Sequence, residues 1–181
     1  MQTQRPLRYK PFLPNLFFMK KTTALLAIIQ VLNFSISAKD KDEKKEGQKE
    51  ASSAEQITDA AWSANLKKNY DEVINQTEKC IKLYEKKALK MQKSMSKPVP
   101  TGAQELNKEA VMSKWALNSV GTCYFLQGRA YENMNKPEEA LKIYQKLTNT
   151  LSFAQCWDPN GWFWKPAIAA KKRIKALDPK W

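Results

Sequence analysis

Apolar and polar positions along the chain separate most cleanly between residues 70 and 95. Ile74, Thr77, Ile81, Tyr84, Ala88, Met91 and Met95 advance in steps of three and four. That spacing puts them on one face of a helix. Lys79, Lys82, Lys86, Lys90, Lys93 and Lys97 repeat similar steps on the other face. Pro98 and Pro100 then end the helix. A preceding helix is expected from Ala54 to about Lys67, with Ser53 as cap and Ile57, Ala61, Trp62 and Ala64 as apolar positions. A third helical region spans roughly 107–135, with a break near Gly121. A fourth starts at Pro137, whose fixed φ suits a first turn, and runs to about Leu151. Glu138 and Glu139 suit the positive end of that helix. A turn is expected at Asp158-Pro159-Asn160-Gly161, and a last helix from Pro166 carrying Ile168, Ala169, Ile174 and Leu177. No alternating strand pattern stands out, so the predicted class is all-α.

Two segments lie outside this pattern. Residues 1–38 hold basic but no acidic residues, then an apolar run near Leu25–Phe34, then Ser35-Ile36-Ser37-Ala38. Those are the marks of a cleaved secretory signal, and Met19-Lys20-Lys21 would serve equally as its start. The apolar run is interrupted by Gln30 and Asn33 and is short for a membrane span, so no transmembrane anchor is expected after cleavage. Residues 39–56 mix charges without an aromatic and predict a disordered tether. The domain is then expected over 57–181, in the periplasm or outside the cell.

Five positions in the third and fourth helices carry a repeat signature. Tyr124, Gly128, Tyr131, Ala140 and Tyr144 put small residues where paired helices touch and aromatics in the groove between them. A weaker echo begins at Asn69-Tyr70-Asp71-Glu72, 67 residues before Lys136-Pro137-Glu138-Glu139. The stretch resembles a tetratricopeptide repeat. More specifically, residues 60–178 resemble a family of exported bacterial tetratricopeptide-like proteins, some labelled β-glucanase precursors. The carrying segments are Trp115–Phe125 and Ala154–Pro166. The resemblance implies antiparallel helical hairpins with a C-terminal capping helix, binding a protein or peptide partner. It would place that partner on the first helix of a pair, here Thr122, Phe125, Arg129, Glu132 and Asn133.

Composition narrows the chemistry. The chain has no histidine, which excludes Ser-His-Asp and Cys-His catalysis and the commonest catalytic zinc shells. Three cysteines fall short of an all-thiolate zinc site, so no metal, cofactor or catalytic residue is assigned. The net charge of +13 would drop to +8 on cleavage after Ala38. The lysine face could meet an acidic partner or simply solvate its helix, and export argues against nucleic acid. The aromatics Trp157, Trp162, Phe163 and Trp164 either plug the end of the repeats or offer Trp162 and Trp164 to a partner or a glycan. A glycosidase needs two carboxylates at a set separation, and no spacing singles out a pair. An oxidising compartment would favour a disulfide between Cys123 and Cys156, 33 residues apart, leaving Cys80 as a buried thiol.

Overall fold

The computed structural model describes residues 22–101, 107–158 and 162–180. The chain divides into two compact units, Met1–Glu46 and Gly47–Trp181. Residues 1–21, the start of the expected signal, lie outside the described residues. No helix among the described residues is long and apolar enough to cross a membrane.

The described chain is mostly helical. Its elements are α1 (Thr22–Leu66), α2 (Tyr70–Lys93), α3 (Lys108–Met112), α4 (Trp115–Asn133), α5 (Pro137–Thr150), β1 (Cys156–Asp158), β2 (Trp162–Trp164) and α6 (Pro166–Leu177). α1 passes through Ser53, so that residue caps nothing, and it continues back through the charged stretch assigned to a tether. Lys87 of α2 pairs with Glu50, and Ala54 is fully buried. Packing in the second unit therefore begins within the charged stretch. The break expected at Gly121 falls instead at Ser113-Lys114, between α3 and α4. Gly121 serves close approach rather than an end, since a Cβ there would lie 2.5 Å from Cβ of Ala154. The glycine lets the turn after α5 press on α4.

On α2 the structure keeps the expected face. Thr77, Tyr84 and Ala88 are buried, joined by Val73 and Cys80, while the six lysines of the opposite stripe are all exposed. Asn69 caps the helix by accepting from the backbone N–H of Glu72 at 3.2 Å.

Two helix–turn–helix units repeat one another. Lys68 and Asn135, 67 residues apart, both have φ of 58°. After Lys68, the N–H of Asn69 donates to the carbonyl of Ala64; after Asn135, the N–H of Lys136 donates to that of Tyr131. Each is the closing bond of a Schellman turn, with one left-handed residue ending the first helix. Burial repeats with the same offset: Ala61, Val73, Thr77 and Cys80 match Gly128, Ala140, Tyr144 and Leu147, all buried. α2 packs along α4, α4 along α5, and α6 closes against α5 and α4. Tyr144 is fully buried and sits where Gly128 has no side chain.

The three cysteines are free thiols. The expected bridge from Cys123 to Cys156 is corrected by helix geometry. Consecutive helical residues point about 100° apart, so Thr122 and Cys123 face different neighbours. Thr122 meets Cys156, its Oγ1 2.8 Å from Sγ. Cys123 turns to the core, 3.8 Å from Oγ1 of Thr58 on α1.

Candidate functional site: an aromatic cleft

The stretch expected to form only a turn is a small antiparallel hairpin. Cys156 pairs with Trp164, Trp157 with Phe163 and Asp158 with Trp162. Alternation along a strand puts Trp162 and Trp164 on one face and Phe163 on the other. Phe163 packs edge-on to Trp157 at 4.9 Å between ring centroids, and Nζ of Lys108 lies 4.3 Å from the Trp157 centroid. On the other face, Trp164 meets Phe125 of α4 at 5.4 Å and Trp62 of α1 at 6.2 Å, both edge-on. Edge-to-face pairs of this kind add to the burial energy and fix ring orientation.

These rings frame a cleft of about 620 Å³, within the usual size of ligand pockets. Trp62, Phe125 and Trp164 line it together with Ile168 and Lys172 of α6. Trp162 is 51% exposed at the cleft. Asp158, Lys165 and Lys172 supply charge around it.

The predicted groove on α4 is split. Phe125 lines the cleft. Thr122 is buried and donates to the carbonyl of Asn118 at 2.9 Å, so it is no contact surface: the hairpin covers that end of the helix. Glu132 is likewise engaged within the fold. It pairs with Arg173 of α6 and accepts from the hydroxyl of Tyr144. Burial pushes its carboxyl up, but the hydrogen bonds from Arg173 and Tyr144 outweigh that and hold it below the usual carboxylate range. The same contact, after burial, pushes the Tyr144 hydroxyl far above its ordinary value. Arg129 and Asn133 remain exposed, with Asn133 donating to the Arg129 carbonyl at 2.7 Å. Of the two predicted tryptophans, Trp162 is open and Trp164 is half-buried between Phe125 and Trp62.

Sequence reasoning places Trp62 on an apolar face but not at the site, and passes over Lys165 and Lys172. Nothing in their spacing ties them to residues 157–164. One usable signal is Asn160-Gly161 between aromatic runs, a dipeptide that favours tight hairpin turns. Among the described residues, no group of His, Cys, Asp or Glu could hold a metal ion. Comparison with protein-family models, with curated proteins and with solved structures finds no match to this chain.

Proposed function

We propose that this chain is an exported, tetratricopeptide-like binding module of the cell envelope that engages a protein or peptide partner through the aromatic cleft. The observation that carries the reading is a tryptophan half open to solvent beside an ordered aromatic wall, Trp162 beside Trp164, Phe125 and Trp62. Tryptophan at the centre of a concave patch is the residue type most enriched among binding hot spots. The repeated Schellman turns and the matched small residues support the tetratricopeptide-like part. On this reading the protein is a binder and catalyses no reaction, and residues up to about Ala38 are removed on export.

The test is a peptide array read on the purified protein, with hits titrated by tryptophan fluorescence. Micromolar binding by a defined peptide set, weakened at least tenfold by Trp162→Ala, is the expected result. Binding that ignores Trp162, or no peptide binding at all, sinks the cleft as a peptide site.

A second reading is an envelope polysaccharide site, with or without hydrolysis. It is favoured by Trp162 and Trp164 sharing one strand face beside Asp158, since flat rings stack on sugars. A glycan screen that captures the wild type but not Trp162→Ala would move the assignment there. Turnover of a β-glucan abolished by changing Asp158 or Glu132 would make it an enzyme.

A further inference from the structure

We propose that the aromatic cleft selects an acidic peptide, in which one apolar anchor residue is bracketed by two carboxylates about three residues apart. The proposal rests on the reading of the cleft as a peptide site and adds the chemistry of its occupant. Among the described residues five large apolar side chains are exposed, and two of them, Trp162 and Ile168, line this one cleft. Exposed apolar side chains that converge on a concavity mark a binding site, whereas scattered ones do not. Lys165 and Lys172 line the same cleft.

The sequence of α6 builds that arrangement. The helix carries Lys171, Lys172, Arg173 and Lys175 and no acidic residue. Ile168 and Ala169 precede Lys172 by four and three residues, so the three share one face, and Lys165 is the N-cap residue of the same helix. Among the described residues the ion pairs are Lys87–Glu50, Lys146–Glu85 and Arg173–Glu132, and neither cleft lysine is in one. Asp158, the acidic residue at the cleft, is already engaged. The two lysines therefore give the cleft a positive charge that an anionic partner complements.

Side chains, not backbone, meet that partner's charge. Pro166 has no N–H, those of Ile168 and Ala169 go to the Lys165 carbonyl at 3.0 and 3.1 Å, and Ala167 is buried. A lysine ammonium has three donors and no acceptor, so it favours a carboxylate over the matching amide. Seven positions of helix separate the two lysines by on the order of 10 Å, which about three residues of extended chain span. A residue between the two carboxylates lies against Ile168, in the cleft that Trp162 also lines. The occupant is a peptide rather than a lipid surface. A flat layer of headgroups reaches the lysines, but not the half-buried rings of Phe125 and Trp164 within the cleft.

The full chain is titrated against labelled synthetic peptides by fluorescence anisotropy, at low and at high salt. The peptides share a Gly-Ser frame and differ in a central core: Asp-Leu-Ser-Glu, its amide counterpart Asn-Leu-Ser-Gln, Lys-Leu-Ser-Lys, and Asp-Ser-Ser-Glu without the anchor. At low salt the first should bind about tenfold tighter than its amide counterpart, and high salt should shrink that ratio. Removing the anchor, or changing Trp162→Ala, should weaken binding of the acidic peptide. Lys165→Gln together with Lys172→Gln should erase the acidic preference. Lys165→Glu together with Lys172→Glu should turn it toward the lysine peptide, a reversal that a misfolded variant could not produce. Equal binding of the acidic and amide peptides that still needs Trp162 would leave the cleft a peptide site and overturn its acidic selectivity. An acidic preference that survives the double glutamine change overturns the role of these lysines. Absence of binding by all four peptides overturns the proposal, and the peptide array then decides whether the cleft takes another sequence. Capture by phosphatidylglycerol vesicles through the two lysines, without any peptide preference, overturns it in favour of a membrane.

Discussion

The two helix–turn–helix units solve one packing problem with opposite divisions of volume. In the first, Ala61 on α1 and Thr77 on α2 occupy the positions that Gly128 on α4 and Tyr144 on α5 occupy in the second. One unit uses a methyl and a small side chain; the other uses no side chain and a large ring. Thr77 satisfies its hydroxyl locally, donating to the carbonyls of Val73 and Ile74 at 2.8 and 2.9 Å. Tyr144 reaches out of its groove to Glu132, which is held by Arg173 of α6. The first solution is self-contained. The second ties the hairpin to the closing helix, through a buried ring that tolerates little change.

Truncation tests this division most strongly. Tyr144→Ala should cost about 4 kcal/mol, in line with other large-to-small core changes, whereas Thr77→Ala should cost roughly 1 kcal/mol. Equal losses in denaturant titrations would show that the two positions are not distinct in role. Crowding comes next. A Cβ on Gly128 would lie 2.4 Å from Cε1 of Tyr144, so Gly128→Ala should destabilise by about 2 kcal/mol despite its helix-propensity gain. Adding Tyr144→Thr, which copies the first unit, should cost less than the sum of the two single changes. Strict additivity would refute the exchange of volumes.

Acid should separate the units in the same sense. The folded pKa of Glu132 is depressed, so its stabilisation is complete above the ordinary carboxylate value of 4.5 and is lost as pH falls below that value. Denaturation midpoints from pH 7 to 3 should fall less steeply in Glu132→Gln than in wild type. Indistinguishable slopes would mean that the Tyr144–Glu132–Arg173 group contributes nothing electrostatic. The smallest effect is at the turns. Both left-handed residues have the same φ, but asparagine tolerates that region better than lysine. Lys68→Gly should stabilise by up to about 1 kcal/mol and Asn135→Gly by less, measured as the shift in melting temperature.

The helices are legible in the sequence because each carries a periodic face and local punctuation. The α2 stripe and the Pro137 and Pro166 starts are short-range signals, and the structure keeps them. Gly121 marks no break because a glycine in a helix can mean close approach as well as an end. The hairpin escapes because Trp162-Phe163-Trp164 is apolar throughout and offers no alternation. At the site, Phe125, Trp162 and Trp164 follow from residue type and position. Trp62, Lys165 and Lys172 do not, since long-range packing assembles them. The expected cysteine pairing fails for a related reason: repeat-length spacing says which residues are equivalent, not which ones touch.

The last turn of α2 has a consequence for the order in which the protein can be completed. Gln92 accepts from the backbone N–H of Phe153 at 3.0 Å and lies 3.4 Å from the hydroxyl of Ser152. Gln155 reaches the carbonyl of Val99 at 2.8 Å, while its own N–H is taken by Asn118. The exit from α2 is thus stitched down by a segment made 61 residues later. As the chain is synthesised, the first hairpin can coil early, but residues 92–99 wait for the segment after α5 to arrive. Contacts so distant along the chain are slow to form. Residues 94–99 are therefore expected to be the last to become protected from hydrogen exchange during refolding, and the first exposed to a protease when synthesis stops short of Phe153.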